Sequence, residues 1–239
     1  MASITDLART ATDYSDGRSI GSRFRARRIA PLLSAIDVVY RERGRVEIID
    51  IGGTEAYWGI VPTDFLDARK VGITIVNLPE VALPIDHGPF MFVHGDGCAL
   101  ERYQDKAFDI AHSNSVLEHV GTWGNMTRFA HEVRRVARAY FVQTPNFWFP
   151  IEPHCMLPFF HWLPFPVRVR LLNSLPIGLW GRVESVDAAV RLAESVQLIN
   201  KTMFASLFPE AEIRRERLLM LTKSFVAMHF KNASSSVSA

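Results

Sequence analysis

A glutamate and a histidine stand two residues apart at Glu152 and His154, and a second acid–imidazole pair stands at Glu118-His119. Imidazole changes charge near neutral pH, and a carboxylate on one ring nitrogen fixes which tautomer faces a reactant. Pairs of this kind suit proton transfer at an acceptor atom. His154 is the first candidate base, because it closes the run Phe147-Trp148-Phe149-Pro150-Ile151-Glu152-Pro153-His154 at the end of an apolar segment. Glu152 is placed to orient it, with Pro153 between them restricting the geometry. His119 is the second catalytic candidate. The competing reading is structural: Glu118-His119 braces the next loop, and His154 with His161 bridges polar atoms inside an aromatic cap.

A second set of residues can hold a ligand rather than move a proton. Val46-Glu47-Ile48-Ile49-Asp50-Ile51 is an apolar run with an acid near its end, and Gly52-Gly53 turns the chain at once. A parallel strand feeding a nucleotide-binding loop has this form. Thr54 stands where a G-x-G-x-x-G fingerprint needs its second glycine, and no lysine follows in P-loop register, so a pyrophosphate cradle is disfavoured. Asn77 closes a second apolar run and can both accept from and donate to ribose hydroxyls. Asp96 precedes Gly97 and Cys98, where an acid can accept from an adenine amine while backbone N–H groups meet the ring. Ser113 follows a fourth run and suits a ligand floor. Each of these is also an ordinary turn residue.

The elements that must position these residues follow from period. Apolar residues at Ile29, Leu32, Leu33, Ile36 and Val39-Tyr40 predict a helix from about Ser22 to Tyr40, stopped at Gly44. Strands are predicted at 46–51, 70–76, 90–93, 108–112 and 139–143, with a helix carrying Met126, Phe129, Ala130, Val133 and Val136 before the fifth. Strands alternating with helical segments imply a mostly parallel sheet. Residues 147–185 are rich in proline and aromatics and match no sheet period, which predicts an inserted cap. A helix is predicted over 187–206. The runs 212–219 and 222–230 are joined too tightly for a helical crossover, so they must pair antiparallel.

In this order, Val46–Thr54, Gly95–Leu100, Phe108–Val120 and Thr144–His154 resemble a class I S-adenosylmethionine-dependent methyltransferase, of the small-molecule, ubiquinone-type (type 11) branch. Phe108-Asp109-Ile110 followed by Val116-Leu117-Glu118-His119-Val120 is the most specific piece. The resemblance covers about residues 45–150 and the C-terminal pair. It implies an α/β, Rossmann-like sheet, mostly parallel with an antiparallel C-terminal strand, a helical N-terminal lid and an inserted aromatic cap. It implies S-adenosylmethionine as cofactor, with Asp50, Gly52 and Gly53 facing the methionine part and the sulfonium. Asn77 would hold the ribose, Asp96 with backbone at Gly97 and Cys98 the adenine, and Ser113 the floor. The family's loop usually has more glycines, and an acid usually stands where Asn77 is.

The expected organisation is a lid over 1–44, a cofactor-binding core over 45–146, and a cap and helix over 147–206. A hairpin over 207–231 and a disordered tail over 232–239 complete it. The 239 residues carry a net charge of +2, which gives no whole-protein electrostatic case for nucleic acid. Two cysteines, Cys98 and Cys155, have neither metal nor disulfide spacing, so no metal site is expected and a reducing cytoplasm fits. The longest greasy stretch, 155–167, is interrupted by three prolines and is too short to span a bilayer. Peripheral membrane contact stays open, as does oligomeric state. Four arginines at 23, 25, 27 and 28 make a basic cluster, most simply a solvated face.

The function expected is methyl transfer to a small-molecule oxygen, nitrogen or carbon, including a sugar or lipid-like ring. The alternatives are a non-catalytic scaffold of the same fold and a nicotinamide-dependent oxidoreductase.

Overall fold

The computed structural model describes residues 20–230, with side chains from residue 28 onward. The side chains of Arg23, Arg25 and Arg27, residues 1–19 and the predicted tail lie outside the described residues.

Seven strands form one sheet: β1 (Val46–Ile51), β2 (Val71–Asn77), β3 (Phe90–His94), β4 (Phe108–Asn114), β5 (Ala137–Pro145), β6 (Glu212–Leu218) and β7 (Leu221–His229). Their spatial order is β3-β2-β1-β4-β5-β7-β6. The first five are parallel to one another, and β7 runs antiparallel to both β5 and β6. The predicted C-terminal pair therefore completes the sheet, with β7 inserted beside β5. The outermost strand β6 carries alternating charge (Glu212, Arg214, Arg215, Glu216, Arg217), which protects an open edge from pairing with another chain.

The helices are α1 (Ile20–Arg43), α2 (Glu55–Trp58), α3 (Thr63–Ala68), α4 (Trp123–Val136), α5 (Phe165–Ser174), α6 (Val186–Glu194) and α7 (Lys201–Leu207). Side chains alternate across a strand, so each strand feeds two cores. On one face Ile48, Ile75, Ile110 and Phe141 pack beneath Ile29, Leu32 and Ile36 of α1 and Trp58 of α2. On the other, Ile49, Ala111 and Val142 pack beneath Phe129 and Val133 of α4 and Phe204 of α7. Each such fully buried side chain contributes on the order of 1.5–3 kcal/mol. The described part of the expected lid thus lies flat on a sheet face and fills a core.

Two features add to the sequence reading, and one, the helix over 187–206, departs from it. No helix occupies 78–89 or 95–107, so the crossovers flanking β3 are loops. The helix predicted over 187–206 is two helices, because Asn200 caps α7 by accepting from the Met203 N–H at 3.0 Å. The segment between them lies along β5, where Ile199 bridges to Asn146. The cap carries a helix of its own, α5, which starts at Phe165-Pro166 with proline inside its first turn, where a missing N–H costs nothing. Among the described residues no helix is long and apolar enough to cross a membrane.

Candidate active site

Every residue singled out for chemistry sits at or beyond the carboxyl ends of β1 to β5, the edge where open α/β sheets bind ligands. Register explains what happens first. Asp50 of β1 pairs with His112 of β4 across the parallel ladder, so the two side chains emerge on the same face. Both are fully buried. The His112 Nδ1 lies 2.7 Å from Asp50 Oδ1, and the Trp58 indole N–H donates to Asp50 Oδ2 at 2.8 Å. The His112 ring stacks on Phe141 and meets Trp58 edge-on. Both Asp50 oxygens are therefore engaged within the protein. A strand-end acid at this depth needs a partner. Sequence reasoning missed His112, although it lies at the end of the predicted fourth strand, level with Asp50.

The glycines are required by that arrangement. Gly52 has φ +73°, and a Cβ there would come within 2.7 Å of Val116, from the loop after β4. A Cβ on Gly53 would meet the Asp50 carboxylate at 1.8 Å. The turn is thus shaped by its own strand's acid and by the β4 loop.

Asn77, at the end of β2, donates from Nδ2 to the Gly53 carbonyl at 3.0 Å, which leaves its own carbonyl oxygen for other partners. Asp96 is exposed and accepts from the Cys98 N–H at 2.8 Å, closing an Asp-Gly turn. The loop is anchored by Glu132 of α4, which accepts from the Leu100 N–H at 2.8 Å. Burial beside Asp96 pushes the Cys98 thiol up to about 11. Ser113 is buried and donates to the Ile51 carbonyl at 2.9 Å, tying β4 to β1 beneath the glycine turn. The structure gathers these residues around one sheet edge.

The acid–imidazole residues converge on the neighbouring part of that edge. After β4 the chain reverses at Ser115, with φ +55°, into a 3-10 turn over Leu117–His119. This buries Glu118 against β5, where the Thr144 hydroxyl donates to Oε2 at 3.0 Å. Glu118 Oε1 is buried with no hydrogen-bond partner among the described residues. Burial pushes this carboxyl up to about 7. The neighbouring His119 is exposed, and its Nδ1 lies 3.0 Å from the Ser195 carbonyl. That contact depends on the break between α6 and α7. Desolvation lowers the His119 pKa.

Glu152 is buried in the loop after β5. Its Oε2 accepts from the His154 and Cys155 N–H groups at 2.8 and 2.6 Å, and its Oε1 lies 2.7 Å from His154 Nδ1. Burial opposes ionisation of Glu152, but these hydrogen bonds outweigh it and its pKa is lowered. Pro153 does not prevent the contact, because His154 folds back over the turn it follows. The far nitrogen of His154, Nε2, lies 3.1 Å from Nε2 of His119. Glu152 also lines a cavity of about 400 Å³ inside the cap, walled by Phe147, Phe160, His161, Phe165 and Trp180. Arg168 lines the same cavity.

Of the basic cluster, Arg28 has a described side chain. Arg28 donates to Glu216 of β6 and to Asn114 of β4, both at 2.5 Å, so it clamps α1 to the sheet.

Comparison with known proteins bears on this edge. A family model described as a methyltransferase domain matches residues 69–140, the stretch from β2 into β5. Two uncharacterized proteins of Mycobacterium tuberculosis are 34% identical over 91 residues, 35% of this chain and 31% of theirs. The chain therefore matches about a third of the length of these curated relatives. Among solved structures, a 1,6-didemethyltoxoflavin-N1-methyltransferase of Burkholderia thailandensis aligns with 95% of this chain and 90% of its own. Its TM-score is 0.48 at 15% identity. An S-adenosylmethionine-dependent methyltransferase of Methanosarcina mazei aligns with 80% of this chain and 94% of its own, with a TM-score of 0.46 at 15% identity. The family match thus covers the stretch from β2 into β5, and the sheet around it has a Rossmann-like order, mostly parallel with an antiparallel C-terminal pair.

Proposed function

We propose that this chain is a class I methyltransferase that uses S-adenosylmethionine to methylate a small-molecule oxygen, nitrogen or carbon. A sugar or lipid-like ring is the acceptor its aromatic cap suits. The observation that carries the reading is the meeting of two sets of residues on one sheet edge. The turn at Gly52-Gly53 touches the β4 loop at Val116, and two residues further on stands the Glu118-His119 pair.

Transfer from a sulfonium is an in-line displacement of an already activated methyl group. The protein supplies alignment and a dry site, and a base where the acceptor starts protonated. In this reading Gly52, Gly53 and the neighbouring Asp50 shape the methionine side. Asn77 offers its carbonyl to ribose, and Asp96 with Gly97 and Cys98 flanks adenine over the Ser113 floor. His154 takes the acceptor proton, with buried Glu152 holding its tautomer and His119 beside it. Residues 147–206 serve as the acceptor cap over a core of 45–146, to which α1 belongs by its packing on the sheet. A net charge of +2 gives no support to a nucleic-acid substrate, and a cytoplasmic site of action fits the two unpaired cysteines.

One observation favours a second reading, a scaffold that keeps the fold without the reaction. The Asn77 amide and the Cys98 N–H already have partners inside the protein. Calorimetric titration with S-adenosylhomocysteine, with NAD in parallel, separates the readings. Micromolar binding of the former alone is the expected result. A folded protein that binds neither is the scaffold, and binding of NAD alone overturns the methyltransferase function.

A further inference from the structure

We propose that Glu118, His119 and His154 form a divalent transition-metal site of the zinc type. A carboxylate oxygen of Glu118 and one ring nitrogen from each histidine all lie within 4.8 Å of one another.

The hydrogen bonds around the two rings lead to this. The Ser195 carbonyl can only accept, so His119 Nδ1 must carry the proton in that contact. The Glu152 carboxylate, which already accepts from two backbone N–H groups, accepts from His154 Nδ1 in the same way. Each ring then presents a bare lone pair at Nε2, and the two lone pairs face each other across 3.1 Å. Two acceptors at that separation need a cation between them. Zinc with Zn–N bonds of about 2.0–2.1 Å holds tetrahedral ligand atoms roughly 3.3 Å apart, close to the spacing present.

Two further features belong to metal sites. Both histidines donate their remote N–H to a fixed acceptor, a carboxylate in one case and a backbone carbonyl in the other, as metal-bound imidazoles do. Glu118, with 1% of its surface exposed, has an oxygen left without a partner. A cation would satisfy it. Thr144 holds the other oxygen.

Two imidazoles and one carboxylate suit zinc, cobalt or nickel better than calcium or magnesium, which take all-oxygen shells. Three protein ligands leave a fourth position for water or an acceptor oxygen. At the methyl acceptor's edge, such a cation would lower the pKa of a coordinated hydroxyl and so take the place of proton uptake by His154, whose Nε2 is then a ligand. That role rests on the proposed methyl transfer. Metal binding itself does not.

The test uses the full chain, stripped with chelator and titrated with Zn2+ by calorimetry and with Co2+ by visible absorption. One equivalent should bind per chain, with the intense absorption of low-coordinate cobalt. His154→Ala and His119→Ala should each weaken Zn2+ binding by about 100-fold or more, and Glu152→Gln by about 10–100-fold. Glu118→Gln, the mildest change, should remove the cobalt spectrum if the histidine variants fold poorly. No binding by the folded protein would mean that a proton bridges the rings, and the proposal falls. It falls equally if binding survives in the His119→Ala/His154→Ala double variant, because the metal then sits elsewhere. Titration with S-adenosylhomocysteine on the same sample is read separately: metal bound without it keeps the site and overturns the function.

Discussion

Two carboxylate–imidazole pairs stand at the same edge of the sheet with the same 2.7 Å contact, and they are built for different ends. Asp50–His112 is a rung of the parallel ladder, fixed by register, sealed under α1 and α2, and braced by Trp58. Its far nitrogen, His112 Nε2, has no hydrogen-bond partner among the described residues and lies among aromatic rings. Glu152–His154 hangs in a loop, and its far nitrogen faces another imidazole near the surface. A short acid–histidine contact is therefore no sign of chemistry by itself. What matters is where the second nitrogen points. Buried among aromatics, the pair holds a strand end together. Facing other polar atoms at an accessible edge, it can exchange a proton or bind a cation.

The largest effect expected is on the sealed pair. Asp50→Ala leaves His112 and the Trp58 N–H buried without their acceptor, and removing one member of a buried pair costs about 3–5 kcal/mol. For a chain of this size that lowers Tm by roughly 10 °C. Thermal and urea unfolding of the variant measure it. An unfolding midpoint equal to the parent's would break the comparison, since Asp50 would then be free for a ligand role.

The open pair should respond more in turnover than in stability. His154→Ala removes a side chain that is 22% exposed and leaves one oxygen of buried Glu152 without its partner while two backbone N–H groups still hold the other, so stability should fall by about 1–3 kcal/mol, less than for Asp50→Ala. Turnover with a protonated acceptor should fall by about 100-fold or more. Single-turnover rates across pH, beside a melting curve of the same sample, give both numbers. Turnover unchanged at every pH would return His154 to the cap's internal packing.

The sequence made the sheet legible because its signals are local. Five apolar runs of strand length, ending at Asp50, Asn77, His94, Ser113 and Thr144, located the parallel strands to within about two residues. The absence of room for a helix between 219 and 222 fixed the antiparallel pair. The pairings were not legible, because they are set by register between strands far apart in the chain. Asp50 meets His112 only because β1 and β4 are neighbours in that alignment. His119 meets His154 only because Ser115 adopts a positive φ and the Pro153 turn folds back. The expectation that no metal set exists rested on cysteine spacing. The candidate ligands are histidines and a glutamate drawn from two different loops. The predicted long helix over 187–206 concealed the carbonyl that orients His119, since its break depends on the Asn200 cap.

A third carboxylate sharpens the comparison because its partner does not titrate near neutrality. Glu132 of α4 takes two hydrogen bonds from Arg135, both at 2.8 Å, and a third from the Leu100 N–H. Those contacts, led by Arg135, outweigh burial and hold its carboxyl below the ordinary value of 4.5. A depressed carboxylate contributes stability that is full above its unfolded pKa and is lost as pH falls through the folded value. Glu132→Gln should therefore cost about 1.5–3 kcal/mol at pH 7, the worth of hydrogen bonds to a charged group. The gap to the parent should start to narrow as pH falls below about 4.5 and close once pH has passed below the depressed folded value, where both proteins carry a neutral side chain. Urea midpoints at a series of pH values test this. A gap that did not narrow at all between about pH 5 and the lowest pH at which both proteins stay folded would assign the effect to packing. A gap that closed between pH 6 and 7 instead would implicate an imidazole in anchoring the Asp96–Leu100 loop. The boundary between sealed and working pairs would then lie elsewhere in the fold.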